Sequence, residues 1–594
     1  MKKIIILTFS ILLAFSYACQ ESFMEKKPLG VASKSVFYNE KGVNALLTGA
    51  YALLDGAGAG GWGGSYAWAG SVTNWVWGSV ASDDAYKGTS ASDQATINPI
   101  ERYEALPSNG YVSGKWIANY DGVSRCNDVL SALAQTIEDG NIDAEAATQV
   151  EAQAKFLRAW LHFELKRVFN NIPYITETVE DAAKVPNTVD AWPLIEADME
   201  FAVNNLPPSQ AQVGRPTKYA AMAVLARIHL FQKDYSAAKV LLDNIINSGK
   251  YSLMESYHDN YKISTNNNAE SIFEIQYVVN DGTPDSFNGG YGDCLNFPHG
   301  GDIGTCCGFH QPSQNLVNAF KVDDNGLPLF DTFNDTNLAN DQGIASSDEF
   351  VPDDHLVDPR LDWTVGRRGI PYLDWGIMRG ADWIREQPNG GPYLFKKNMF
   401  YKSEKGSLST TTGWATGVNA NNYRVYRYAH VLLWRAECAV EENDLAKALE
   451  LVNMIRARAA KDVVMGYVTD YTMAPGDHVF ATQEAAGNYD PSVPAANYLV
   501  KEYPSFPSQE YARQAVRWEL RLEFGMEGQR FFDLVRWGIA SETLNDYIAK
   551  DVQFRSFLTG ASFDAGKDEY WPIPQSQIDQ QNGEEEILKQ NPGY

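Results

Sequence analysis

The sequence predicts a mostly α fold, a scaffold of tetratricopeptide-like helix pairs whose irregular, Gly/aromatic-rich loops and short strands carry a binding face. Long stretches space their apolar residues three and four apart, and two segments repeat one helix–turn–helix plan. Between them the composition turns to Gly, Pro, Asn, Asp and aromatic residues, which long helices do not accommodate.

At the start, Lys2 and Lys3 precede IIILTFSILLAF, an apolar run too short to cross a bilayer core of about 30 Å. Residues 1–18 read as an export signal, with small Ala18 directly before Cys19. Cys19 is thus a candidate for lipidation, although Ser16 stands where such sites usually carry Leu; plain secretion with an ordinary thiol is the alternative. The remaining chain divides into 19–280 and 281–594. Its 44% apolar and 12% aromatic residues suffice for a large core, and a formal net charge of −26 repels phosphate backbones, which argues against nucleic acid as a partner.

Glu151 to Phe169 sets Ala154, Leu157, Leu161, Leu165 and Val168 on one helical face and stops before Pro173. Thr217 to Tyr251 reads as two helices around the turn QKDY, and Tyr426 to Ala459 repeats the plan around EENDL. Cys126 and Cys438 fall in apolar helical patterns and read as small core residues. Export into an oxidising setting allows Cys294 to pair with Cys306 or Cys307 across a Gly-rich loop, and the odd count of cysteines beyond Cys19 leaves at least one free. No paired metal-ligand spacing accompanies the cysteines, so no metal or cofactor is expected.

Asp55 to Gly110 and Val279 to Val418 are the irregular stretches. Sugars offer apolar faces for aromatic rings and hydroxyl edges for amides and carboxylates. The first stretch meets that requirement with Trp62, Trp68, Trp75, Trp77 and Tyr86 beside Asp83 and Asp84. The two-residue spacing of Trp75 and Trp77 equally fits a packed face. The acidic pair fits capping or hydrogen bonding better than calcium coordination.

Val516 to Gly538 reads as one charged helix, with Glu519, Glu523 and Glu527 beside Arg513, Arg517 and Arg521, and with Glu527–Arg530 and Asp533–Arg536 pairs. Leu520, Phe524, Phe531 and Leu534 face inward. Carboxylates opposed by guanidinium groups stay ionised, which suits structure better than glycosidase acid catalysis. HExxH, GxSxG and GxxxxGK[ST] motifs are absent.

Seven runs in order, SDDAYKG (Ser82–Gly88), FHQPSQNLVNAF (Phe309–Phe320), DPRLDWTVGRRG (Asp358–Gly369), RYAHVLLWRAE (Arg427–Glu437), LEFGMEGQRFFDLVRWG (Leu522–Gly538), YWPIPQSQID (Tyr570–Asp579) and the terminal QNPGY, resemble the SusD/RagB family of surface glycan-binding lipoproteins. The resemblance implies a non-enzymatic protein, lipid-anchored through Cys19 at the outer-membrane surface, where Glu21 and Glu25 resemble an export tag. It implies capture of an oligosaccharide or polysaccharide and delivery to a SusC-like TonB-dependent transporter. Since loops of the central segment contact the ligand in family members, it also implies Tyr291, Phe297, His310, Tyr372, Asp374, Trp375, Trp383 and Trp414 as central candidates. A peptide-capturing relative, a lipid-anchored glycosidase and a helical adaptor with a protein ligand are the alternatives.

Overall fold

The computed structural model describes residues 34–55, 66–283, 286–301, 303–411, 416–473 and 476–594, and every structural statement below concerns these residues. Cys19, Trp62 and Trp414 lie outside them. No described helix is long and apolar enough to cross a membrane.

Nine helices stand in file, each packed on the next: α1 (Glu40–Tyr51), α2 (Gly110–Glu138), α3 (Ala144–Phe169), α4 (Trp192–Asn205), α5 (Lys218–Phe231), α6 (Tyr235–Asn247), α7 (Tyr428–Glu441), α8 (Leu445–Ala459) and α9 (Gln509–Phe524). Their starts follow from local chemistry. Asp143, Thr217, Asp234, Asp444 and Ser508 each accept a hydrogen bond from a first-turn N–H, the standard N-cap arrangement. The two expected helix pairs are α5/α6 and α7/α8, with Tyr426 and Arg427 assigned instead to a strand. α3 is buried all round from Phe156 to Phe169 rather than along one face, because α1, α2, α4 and α5 all touch it. Its internal charges are paired, Arg158 Nε to Asp198 Oδ2 at 2.6 Å and Arg167 Nη2 to Glu164 Oε1 at 2.6 Å.

α6 and α7 are packed neighbours although residues 248–427 separate them, so the central irregular segment is an insertion into a continuous helical array. Its neck is an antiparallel pair, β2 (Ser271–Ile275) against β6 (Tyr423–Arg427). The expected division at residue 280 falls just beyond β2. β1 (Ala85–Gly88) pairs with β3 (Phe309–Pro312) and binds the N-terminal irregular stretch to the insertion. β4 (Val365–Gly366) and β5 (Leu394–Phe395) pair inside it. A second excursion between α8 and α9 carries the hairpin of β7 (Met465–Val468) and β8 (Tyr489–Pro494). Val357 N donates to Asn497 O at 2.9 Å and Leu499 N to Val357 O at 3.0 Å, which holds this excursion against the insertion.

The C-terminal run is two helices, not one. α9 stops at Phe524 and α10 (Arg530–Trp537) starts after a turn at Gly525–Gln529; α11 (Ala540–Asp551) and α12 (Gln575–Gln581) follow. The break exists because that turn packs against the backbone of Thr73–Gly78. A Cβ at Gly78 would stand 1.8 Å from Gly528 O, and one at Gly528, whose φ is +70°, would stand 2.0 Å from Thr73 O. Cys126 and Cys438 are buried and free, as expected. Cys294 is also buried and free, since Cys306 and Cys307 are bonded to each other, so the expected pairing with Cys294 does not form.

The expected rows of partners along the C-terminal helix are replaced by long-range pairs. Glu523 meets Arg427 Nη1 at 2.6 Å, Arg360 Nη1 at 3.0 Å and Arg458. Glu519 meets Arg360 at 2.7 Å and Arg456 at 3.1 Å, and Glu527 meets Lys397 at 2.7 Å. Arg530 turns instead to Asp83, at 2.8 Å, whereas the Asp533–Arg536 pair forms as expected at 2.7 Å. The groups around Glu519, Glu523 and Glu527 are buried and come from the insertion, its neck, α8, α9 and the turn that follows α9. Breaking a buried pair leaves a charge without a partner and costs about 3–5 kcal/mol. Arg427→Leu is therefore expected to lower unfolding free energy by about that amount in a denaturant titration; a loss below about 1 kcal/mol would contradict a structural role for the network.

Candidate functional site

The described aromatic residues among those that the sequence singles out are core residues. Trp68, Trp75, Trp77, Asp83, Asp84, Tyr86, Tyr291, Phe297, Tyr372, Trp375 and Trp383 are each no more than 7% exposed, so no ring among them offers a face to a sugar, which corrects the expectation of an exposed aromatic platform. Trp77 Nε1 donates to Ala69 O at 2.8 Å and Trp375 Nε1 to Phe400 O at 2.9 Å; Tyr372 Oη donates to Phe395 O and Tyr86 Oη to Asp551. Asp83 and Asp84 pair with Arg530 and Arg521, at 2.8 and 3.1 Å, and neither caps a helix. His310 is pressed between Trp75 and Phe395, with burial bringing it down to about 3. Asp374, half-buried, accepts from Lys402 N and Ser403 N. The physical reason is general: loops without long helices need a core of their own, and large rings fill it.

A cleft does open where the insertion meets the β7–β8 excursion. Asn340, Asp341, Phe350, Asp353, Asp354, Arg367, Arg368, Tyr393, Tyr467, Tyr471 and Asn497 line a cavity of about 140 Å³. That is small beside the roughly 300–1,000 Å³ of sites that engulf a ligand, and suits one ring of a chain lying across an open face. Alternation along β7 turns Met465 and Tyr467 outward and Gly466 and Val468 inward, leaving Tyr467 42% exposed. Tyr471 and Phe350 meet edge-on at 6.0 Å and are both half-buried. Tyr471 can lie flat on the chain because Gly369 has no side chain. A Cβ there, at φ +85°, would stand 2.1 Å from the ring.

The polar groups are held by their neighbours. Arg367 clasps Asp362 at 2.5 and 2.8 Å, and Arg368 donates to the carbonyls of Tyr471, Ala345, Ser346 and Asp348. Burial raises Asp341 to about 6, partly offset by Arg368. Asp353 accepts from Ala339 N at 2.6 Å and His355 N at 2.8 Å, and these hydrogen bonds outweigh its partial burial and hold its carboxyl below the usual range. Ligand atoms of Asp353, Asp354 and His355 lie within 4.8 Å of one another, but Asp353 already takes the N–H groups of its own loop. None of Phe350, Asp353, Tyr467, Tyr471 or Asn497 was singled out by sequence; the GRRG run and the period-two pattern of Met465–Val468 were the available signals.

A larger cavity of about 730 Å³ runs along α2, between Trp116, Tyr120 and Asn127 on one side and Glu177 and Gln577 on the other. Trp116 is buried and Tyr120 packs against it with ring centroids 4.8 Å apart, so the pair is already engaged with each other.

The carboxylates of the C-terminal run lie in neither cavity. Burial alone would raise Glu523, but Arg458, Arg427 and Arg360 outweigh it and hold its carboxyl well below the usual range, unlike a general acid.

Comparison with known proteins agrees with this architecture. The profile of the SusD family matches residues 269–594, more than half of the chain. The chain belongs to the SusD family. A second family, described as starch-binding and associating with the outer membrane, matches residues 25–230. A SusD-like protein of Bacteroides ovatus is 26% identical over 295 residues, 47% of this chain and half the length of that relative. SusD-like protein P25 of Formosa agariphila is 24% identical over 584 residues, 92% of this chain and 91% of that one. Among solved structures, a SusD superfamily protein of Bacteroides vulgatus superposes with a TM-score of 0.66 at 21% identity, covering 94% of this chain and 100% of the other. Surface glycan-binding protein A of Bacteroides thetaiotaomicron in complex with laminarihexaose gives 0.64 at 21% identity, over 93% and 99%. These likenesses establish the SusD fold, mostly helical with short strands, as the sequence predicts.

Behind the cleft, Lys396 Nζ donates only to backbone carbonyls, Asp362 O and Pro371 O at 2.7 Å for the latter, under the rings of Trp363 and Tyr372. Burial brings it down to about 7, against the pull of Asp362. Between pH 7 and the ordinary lysine range the unfolded chain therefore binds the extra proton, and this residue makes stability rise with pH across that window. Lys396→Met is expected to raise the melting temperature more at pH 6 than at pH 10, by calorimetry; an equal change at both would refute the assignment.

Proposed function

We propose that this protein is a non-enzymatic surface lipoprotein that captures a glycan in the cleft between the insertion and the β7–β8 excursion. It passes the glycan to a SusC-like TonB-dependent outer-membrane transporter, and is held at the cell surface by lipid on Cys19. The observation that carries the binding step is the exposed Tyr467 ring beside Phe350 and Tyr471, with the amides of Asn340 and Asn497 and the carboxylate of Asp354 around them. Rings stack on the apolar faces of sugars and the polar groups meet hydroxyls. A relative of the same fold that binds laminarin, and one solved with laminarihexaose, support the ligand class.

The absence of catalysis rests on how the cleft carboxylates are held. Asp353 spends its oxygens on backbone N–H groups, and Asp341 is 2% exposed against Gly380 and Arg368, so neither is presented to a glycosidic oxygen. Capture then needs only affinity, and tethering beside the transporter raises the effective concentration of a weakly held ligand.

Tyr467→Ala is expected to weaken glycan binding about tenfold, near 1.4 kcal/mol, with an unchanged melting temperature. Titration of residues 20–594 with plant, host and microbial polysaccharides, following tyrosine and tryptophan fluorescence together with reducing ends, checks it. Saturable binding without sugar release supports capture. Release of reducing ends contradicts it, and an unaffected Tyr467→Ala variant removes the cleft as the site.

A further inference from the structure

Charge around the cleft points to a class of glycan. Two guanidinium groups line it, and both are already engaged. Arg367 is clasped by both oxygens of Asp362, whose Oδ2 also accepts from Tyr498 Oη at 2.6 Å. Arg368 gives Nε, Nη1 and Nη2 to the backbone carbonyls of four residues. A carboxylate or sulfate is gripped by a guanidinium through paired N–H donors; the Nε/Nη2 pair of Arg367 is taken by Asp362, which balances its charge, and Arg368 spends Nε, Nη1 and Nη2 on carbonyls. No lysine lines the cleft.

The negative groups are arranged the other way. Asp354 is exposed on the cleft wall, and Asp348, Glu349, Asp470 and Asp490 are exposed on the segments that frame it. His355 Nδ1 lies 2.7 Å from Asp353 Oδ1 and adds positive charge only when protonated. A polyanion entering this space meets a surplus of like charge, with Arg367 already paired to Asp362, whereas a neutral chain meets the exposed carboxylates as hydrogen-bond acceptors for its hydroxyls.

We propose that the cleft selects uncharged glycans and rejects polyanionic ones, whether rich in uronate or sulfated. The proposal rests on the reading of the cleft as the glycan site and narrows its ligand class.

The test is calorimetric titration of the full mature chain, at low and at high salt. The ligands are neutral hexasaccharides (laminari-, cello-, xylo- and mannohexaose) and, at matched length, oligogalacturonate, oligoalginate and sulfated galactan. The proposal predicts that the tightest ligand is neutral, with an affinity that salt changes less than about twofold. It also predicts binding at least tenfold weaker for every anionic chain. The double variant Glu349→Lys/Asp470→Lys, at framing positions outside the cleft lining, should strengthen anionic binding and leave neutral binding unchanged. An anionic chain that binds tightest, with affinity falling as salt rises, overturns the charge preference while leaving glycan capture in place. If neither set binds, the capture reading falls and this proposal with it.

Discussion

The buried charge network at the root of the insertion is the constraint on which the rest of the structure depends. A long segment with little regular structure interrupts the helical array between α6 and α7, and something must fix it to the scaffold. The β2–β6 neck supplies only a short ladder. Arg360 and Lys397 of the insertion, Arg427 of the neck, and Arg456 and Arg458 of α8 converge on Glu519 and Glu523 of α9 and Glu527 just beyond it. Apolar packing alone tolerates sliding, whereas forked guanidinium–carboxylate pairs accept one geometry, so the network sets position as well as adding stability.

One stretch ties that scaffold to the cleft. In Asp358–Gly369, Asp358 and Arg360 face α9, and Asp362 orients Arg367 on the other side of the same short helix, Arg360–Thr364. Arg368 then gathers the carbonyls of 345–348 and of Tyr471, and Gly369 seats the Tyr471 ring. The cleft is thus built from rigid parts whose charges are satisfied internally, leaving ring faces, amides and outward carboxylates for a ligand.

The helical scaffold was legible because helix period, caps and turn residues are local signals: α5, α6 and α8 lie where the pattern puts them. The partners of Glu523 were not, since an arginine at i+4 and one far along the chain look alike in sequence until the chain folds. The same limit misplaced the site. Trp75, Trp77 and Trp383 have the composition of a sugar platform, but composition carries no burial, and the insertion uses those rings as its own core. Tyr467 sits in a short strand with one plain alternation and no cluster of tryptophans to mark it.

Hydrogen–deuterium exchange of the mature chain, with and without a saturating mixture of neutral hexasaccharides, tests the central claim most directly, because it finds the ligand without assuming where it lies. The account predicts slowed exchange in residues 339–354, 465–471 and 495–497, with residues 66–88 unchanged. Protection confined to residues 66–88, or to the α2 cavity, would contradict it.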